Sequence, residues 1–323
     1  MSVTVIPYPH PSTDGIHTLS GWVYLPDGYP QTPSKGILHV AHGMIEHISR
    51  YDGFMWEMAD FGWIVCGYDH LGHGDSVNDP SERGYIAKKD GWIYLQRDMA
   101  SFAEAVRTAY GQTPSGGELP YVLMGHSMGS FVARLAITKY LRPTAVILMG
   151  TGGPRHFSGL GIPLAESIKL FYGDRHYSGL IESLSIGSFN ERFGGSKNAP
   201  NPVAWMTDDE AVVETFLADE VCRQSRFTVS AMTDVIRLSH HCNTKKWYRR
   251  IPRDIPILMV SGGADPVGDY GKSIRLIEKR LLKAGVPVTC RLYEGMRHEI
   301  LNSGCCGDVK ADIKEFLTGF EGT

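Results

Sequence analysis

The sequence predicts an α/β protein: a mostly parallel central sheet flanked by helices, interrupted once by a mainly helical insertion. Three observations lead there. Between Lys35 and Met149, short apolar runs of strand length alternate with longer stretches of helical character. The same rhythm resumes at Ile255 and continues to the end of the chain. The interval between them breaks it, being richer in Gly, Ser, Phe and Met, with short helix candidates such as Thr207–Asp219 and no clear core strand. The expected organisation is therefore a sheet domain from 1–151 and 251–323, with 152–250 inserted into it.

Each element has its own signal. Two early strands, Val3–Tyr8 and His17–Leu25, flank a Pro- and Gly-containing turn. Lys35–Ala41 (KGILHVA), Trp63–Tyr68 (WIVCGY), Tyr121–Met124, Ala145–Met149, Ile255–Val260 and Val288–Tyr293 read as strands. Their near-continuous apolar character suits a parallel sheet covered on both faces. Helices are expected at Gly53–Phe61, Gly91–Tyr110, Ser127–Tyr140, Lys272–Leu282 and Val309–Phe320. No internal repeat or low-complexity segment appears.

Composition narrows the function classes. The chain has 323 residues, 42% hydrophobic and 21% charged, with a formal net charge of -3, so nothing favours a nucleic acid or an anionic membrane as partner. The start, MSVTVIPYPHPSTDG, lacks the basic residues and apolar core of a secretion signal, and no run approaches the roughly 18 apolar residues of a transmembrane segment. A cytoplasmic protein is expected. The six cysteines show no CxxC spacing, which argues against a disulfide framework or a metal ribbon; Cys305-Cys306 is read as two reduced thiols near a helix start.

The chemistry concentrates at Gly125-His126-Ser127-Met128-Gly129, where a strand ends and a helix begins. This G-x-S-x-G corner exposes a serine hydroxyl on a strained turn, and glycines are needed because strand and helix pass too close for side chains. A serine needs a base to take its proton, and the base needs an acid to orient it. On this type of corner the acid and then the histidine follow at the ends of later strands. Asp265 lies just after the Ile255–Val260 strand, and His298 just after Val288–Tyr293. The expected triad is Ser127, Asp265 and His298, with Asp269 as an alternative acid. Glu299 is expected to point away from the imidazole and His126 to pack at the corner; His240 and His241 are expected to pack or face solvent. The oxyanion donors are expected to be the backbone N–H groups of Met128 and Met44, the latter in the loop His42-Gly43-Met44-Ile45-Glu46-His47.

With these residues in hand, the sequence resembles the α/β-hydrolase superfamily, and within it the branch of monoacylglycerol lipases, bacterial lysophospholipases and the serine aminopeptidase group. The carrying stretches are HGMIEHISRY (His42–Tyr51), YDHLGHGDS (Tyr68–Ser76), GHSMGS (Gly125–Ser130), SGGADPVGD (Ser261–Asp269) and EGMRHEILN (Glu294–Asn302). The resemblance implies an α/β-hydrolase fold, a cap over an acyl pocket, a small acyl-ester or lipid substrate, and no cofactor. By matching position, Glu46, Arg50 and Tyr51 would border the alcohol side of the pocket, either binding substrate or supporting the oxyanion loop. Leu160, Ile162, Leu164, Ile168, Leu170 and Phe171 would line an acyl tunnel or pack. Ser185–Phe193 looks like a stretch recurrent in bacterial members.

Other chemistries are set aside. Asp69, His70, His73 and Asp75 could suggest a metal site, but the interleaved glycines read better as a loop. No nucleotide-binding glycine motif or HExxH helix is present. The expected activity is that of a serine carboxylic-ester hydrolase. An aminopeptidase or amidase anchoring a free amine on Asp208, Asp209, Glu210 or Glu214 is the alternative, and a non-catalytic ligand-binding protein the remote one.

Overall fold

The computed structural model describes residues 2–113, 115–154, 158–193, 203–224 and 226–321. The strands are β1 (Thr4–Pro7), β2 (His10–Pro11), β3 (Thr18–Leu19), β4 (Gly21–Leu25), β5 (Ile37–Ala41), β6 (Ile64–Tyr68), β7 (Tyr121–His126), β8 (Ala145–Met149), β9 (Ile257–Gly262) and β10 (Val288–Tyr293). Eight of them form one sheet in the order β1-β4-β6-β5-β7-β8-β9-β10, and β2 pairs with β3 apart from it. β1 and β4, and β4 and β6, run antiparallel; every pairing from β6 to β10 is parallel. The expected second strand is split at Ser20, whose N–H bonds Ser76 Oγ at 2.8 Å instead of continuing a ladder.

Every residue of β5, β6, β7, β8 and β9 is buried, which is why these strands read as continuous apolar runs rather than alternating ones. The period of two still sorts their side chains. Leu123, Val146 and Leu148 face one apolar layer with Met99, Phe102 and Val106. Val122, Met124, Ala145 and Ile147 face the other, with Met55, Met58, Ile313 and Leu317.

The flanking helices are α1 (Asp52–Asp60), α2 (Gly91–Tyr110), α3 (Met128–Ala136), α10 (Lys272–Lys283) and α11 (Gly307–Thr318). α3 ends four residues before the expected Tyr140, in turns that include a Thr138 hydroxyl bond to Leu135 O at 2.8 Å. Between β8 and β9 the described residues hold α4 (Ser158–Tyr172), α5 (Gly179–Ile186), α6 (Glu210–Ala218), α7 (Glu220–Gln224), α8 (Val229–His241) and α9 (Lys245–Arg250), and no strand. Among the described residues no helix is long and apolar enough to cross a membrane.

One buried side chain ties both ends of this helical stretch to the sheet domain. Arg134, fully buried on α3, donates to Gly152 O (3.0 Å) at the entry and to Cys242 O (2.6 Å) and Asn243 Oδ1 (3.0 Å) near the exit. Its own carbonyl accepts from Trp247 Nε1 at 2.6 Å, while that indole lies under the guanidinium at 4.6 Å.

Candidate active site

Ser127 sits between β7 and α3 with φ 49 and ψ -117, a positive φ that a side chain other than glycine's rarely adopts. The two glycines are there for clearance. A Cβ on Gly125 would lie 2.6 Å from Gly129 O, and one on Gly129 2.4 Å from Ala41 O. The helix that begins at Met128 also aims its unpaired first N–H groups at the corner.

Asp265 and His298 come together at the ends of β9 and β10. His298 Nδ1–H donates to Asp265 Oδ2 at 2.9 Å, and Val267 N–H fixes the other carboxylate oxygen at 2.8 Å. Asp265 is wholly buried and His298 nearly so. Burial alone would push the imidazole pKa down; the Asp265 charge and hydrogen bond, with Glu299 and Glu46 behind them, outweigh it and hold the group above its ordinary 6.5. Asp269 is exposed and takes no part in this pair. The His298 ring lies against His126, centroids 4.7 Å apart, and both crowd Gly150, where a Cβ would be 3.1 Å from His298 Cε1. His298 and the residue preceding Ser127 thus share one end of the sheet.

The loop after β5 abuts the serine. A Cβ on Gly43 would lie 3.1 Å from Ser127 Cβ and 2.6 Å from Glu46 Oε1. Gly43 N–H donates to Glu46 Oε1, so that amide is spent within the loop. Glu46 also accepts from Tyr51 OH (2.8 Å) and Arg50 Nη1 (2.8 Å). His126 Nδ1 lies 2.6 Å from Tyr51 OH and 3.2 Å from Glu46 Oε1. Burial pushes the Glu46 carboxyl up, but the His126 hydrogen bond and charge, with the Arg50 guanidinium, hold it well below the usual carboxylate range. Arg50 continues to Glu299, which it grips with two bonds of 2.6 and 2.7 Å.

These contacts bear on the roles expected of Glu46, Arg50, Tyr51, His126 and Glu299. Glu46 and Tyr51 are buried and Arg50 nearly so, and all three spend their polar atoms on protein partners. Of the two expected roles, that geometry matches a support beneath the loop. His126 does more than pack, because it closes the same network. Glu299 does turn away from the imidazole, toward Arg50.

The Asp69–Asp75 loop is a brace. Asp69 accepts from Ile48 N (2.7 Å) and Asp75 N (2.9 Å), and burial pushes its carboxyl up to about 6. His42 donates from Nδ1 to Gly43 O (2.7 Å) and accepts His70 N–H at Nε2 (2.8 Å), which fixes a neutral tautomer; burial pushes its pKa down to about 3. The donors of this loop do not converge on one point. Among the described residues only His47, Asp219 and Cys222 gather three ligand atoms closely enough to share an ion.

Trp205, which nothing in the sequence singles out, stands against the histidine with ring centroids 5.0 Å apart. Its segment is clamped to the histidine loop: Arg297 donates to Ala204 O (2.6 Å) and Glu299 N–H to Met206 O (2.8 Å). The Ser185–Phe193 stretch backs it, through Phe189 (4.8 Å between rings) and Asn190 Oδ1, which accepts Trp205 N–H at 2.8 Å. On α4, Leu160, Leu170 and Phe171 are 72, 81 and 80% exposed, so these three neither line a tunnel nor pack; Ala165 and Ile168 take the inward face instead.

Comparison with known proteins decides the family. The profile of the serine aminopeptidase S33 family (Hydrolase_4) matches residues 32–303. The chain belongs to that family. Within this α/β-hydrolase family it is 26% identical to the monoglyceride lipase of Rattus norvegicus, over 83% of this chain and 77% of the relative. It is 24% identical to the monoacylglycerol lipase of Mycolicibacterium smegmatis, over 84% of each. Its fold superposes on a carboxyl esterase from Bacillus coagulans in complex with glycerol (TM-score 0.88, 24% identity, 99% of each chain). A soluble variant of the Saccharomyces cerevisiae monoglyceride lipase gives a TM-score of 0.75 at 17% identity, over 99% of this chain and 97% of that one. The S33 family member described here therefore lies in the α/β-hydrolase branch of the monoacylglycerol lipases and is a hydrolase.

Proposed function

We propose that the protein is a serine carboxylic-ester hydrolase acting on a monoacylglycerol or lysophospholipid. The observation that carries the reading is the buried Asp265–His298 pair (2.9 Å) at the same sheet end as a serine held at φ 49. Ser127 Oγ attacks the acyl carbonyl while His298 Nε2 takes its proton. Asp265 holds Nδ1–H and stabilises the imidazolium that forms. The Met44 and Met128 N–H groups receive the oxyanion, His298 returns the proton to the leaving alcohol, and water then cleaves the acyl-enzyme by the reverse roles. Glu46, Tyr51 and His126 hold the Met44 loop in place, and Arg50 joins it to the histidine loop.

Residues 152–250 act as a cap in this reading. The exposed row Leu160, Leu170 and Phe171 supports a lipid substrate, because so much exposed apolar surface on one helix suits contact with an aggregate rather than with water. The acids that an amine-anchoring peptidase would need are spent elsewhere. Asp209 caps α6 through Ala211 and Val212 N–H, and Asp208, Glu210 and Glu214 face solvent.

The test is a set of initial hydrolysis rates with Ser127→Ala as blank. The substrates are monoacylglycerols of rising chain length, a lysophospholipid, short aryl esters and an aminoacyl anilide. A kcat/KM maximum on a medium or long monoacylglycerol, or on the lysophospholipid, supports the reading. A maximum on the anilide replaces it with an aminopeptidase, and residual activity of Ser127→Ala near wild type removes the nucleophile.

A further inference from the structure

Three side chains that the proposed reaction does not use meet at the seam between the Met44 loop and the helical insertion. His47 follows Glu46 in the loop, while Asp219 stands between α6 and α7 and Cys222 lies within α7. A ring nitrogen of His47, a carboxylate oxygen of Asp219 and the sulfur of Cys222 lie within 4.8 Å of one another. We propose that they form a binding site for a divalent cation of the zinc class, which would pin the insertion to the loop.

The donor set is what selects the ion. Imidazole, carboxylate and thiolate are the ligands zinc takes, and three protein ligands with one water complete its tetrahedron. Calcium and magnesium prefer oxygen ligands and gain nothing from a thiolate. The site is also partly organised. Asp219 Oδ1 accepts from Val221 N (2.9 Å) and Cys222 N (3.1 Å), which fixes the carboxylate and turns Oδ2 toward His47. The same turn brings Cys222 back alongside.

His47 Nε2 and Asp219 Oδ2 are 2.6 Å apart. Ligands on a tetrahedral zinc stand about 3.3–3.6 Å from each other, so the pair opens by somewhat under ~1 Å, within reach of side-chain rotation. Both side chains are part-exposed, at 16 and 24%, and offer the ion a way in, while Cys222 lies buried behind them. Burial pushes the Cys222 thiol up, and the carboxylates of Asp219, Glu46 and Glu299 around it outnumber the one guanidinium, Arg50. Binding releases the Cys222 thiol proton to solvent, and His47 takes the ion as a neutral imidazole whose proton sits on the other ring nitrogen.

The experiment titrates the full-length chain with Cd²⁺, followed by the ultraviolet cadmium–thiolate charge-transfer band, and with Zn²⁺ by calorimetry. Neither readout depends on a substrate or on activity, so failure here is separate from failure of the ester-hydrolase reading. One ion per chain is expected, with the thiolate band lost in Cys222→Ser and affinity at least tenfold weaker in Asp219→Asn. Binding should be unchanged in a Cys305→Ser/Cys306→Ser variant. Circular dichroism checks that each variant folds, and if Cys222→Ser does not, Asp219→Asn decides. No bound ion, equal affinity in Asp219→Asn, or a band that follows Cys305 and Cys306 overturns the site.

Discussion

Arg50 and Glu299, 249 residues apart, are locked by two parallel hydrogen bonds of 2.6 and 2.7 Å. The pair joins the loop after β5 to the loop that carries His298, so the two halves of the candidate site are tied directly to each other. Both side chains are largely buried, and Arg50 also neutralises Glu46. Arg50→Met therefore leaves two buried carboxylates short of a partner and should cost about 3–5 kcal/mol in urea unfolding. A double variant with Glu299→Gln should recover part of that loss. Equal stability of Arg50→Met and wild type would show that the pair is not coupled to folding.

Gly43→Ala probes the loop itself. The new Cβ would meet Glu46 Oε1 at 2.6 Å and Ser127 Cβ at 3.1 Å. The carboxylate must then leave the Gly43 N–H, and the Met44 amide moves with it. Loss of one oxyanion donor lowers kcat by about 10²–10³-fold. The expected result is that loss in kcat with a smaller change in KM and a folded protein by circular dichroism. Wild-type kcat would place the oxyanion elsewhere.

The raised pKa of His298 sets the pH dependence. The proposed reaction needs His298 as a neutral imidazole, so activity should climb with pH through a midpoint above 6.5. The native state binds this proton more tightly than the unfolded chain does. Its contribution to stability is therefore full below about pH 6.5 and is lost as pH rises through the folded midpoint. Asp265→Asn removes the charge that raises the pKa and can hold the wrong tautomer. It should cut kcat by about 10⁴-fold and move the midpoint of the residual activity downward. Rate measurements from pH 5 to 9 on both proteins check this; an unshifted midpoint would mean that Asp265 does not set the His298 pKa.

What the sequence made legible was local. Strands β5 to β9 announce themselves because burial on both faces leaves them apolar throughout, and Ser127 and Asp265 each stand just after one of these runs, whereas His298 follows β10, a half-exposed strand with a mixed sequence. The Glu46–Arg50–Glu299 network was only half visible, since adjacency in sequence shows Glu46 beside Arg50 but not a partner beyond the insertion. Leu160, Leu170 and Phe171 misled for a different reason: apolar residues occur around much of α4, so periodicity could not say which of them face outward. Trp205 gave no signal at all, because an aromatic in an irregular stretch acquires its place from distant partners: Arg297 and Glu299 hold the backbone on either side of it, and Phe189 and Asn190 back it.

Arg134 offers the last test, on the attachment of the helical insertion. Its guanidinium is fully buried and held among the described residues by neutral acceptors, Gly152 O, Cys242 O, Asn243 Oδ1 and Thr151 Oγ1 (3.3 Å), and by the Trp247 ring. Lysine cannot reproduce this fork, since its single ammonium reaches neither the entry and exit carbonyls together nor the flat stacking on the indole. Arg134→Lys should thus lose about 2–4 kcal/mol through unpaired buried carbonyls. Because the bonds fasten both ends of the insertion, proteolysis should cut first between Gly152 and Asn243, ahead of the sheet domain. Cleavage spread evenly over the chain would mean that Arg134 supports the whole core rather than the attachment of the insertion.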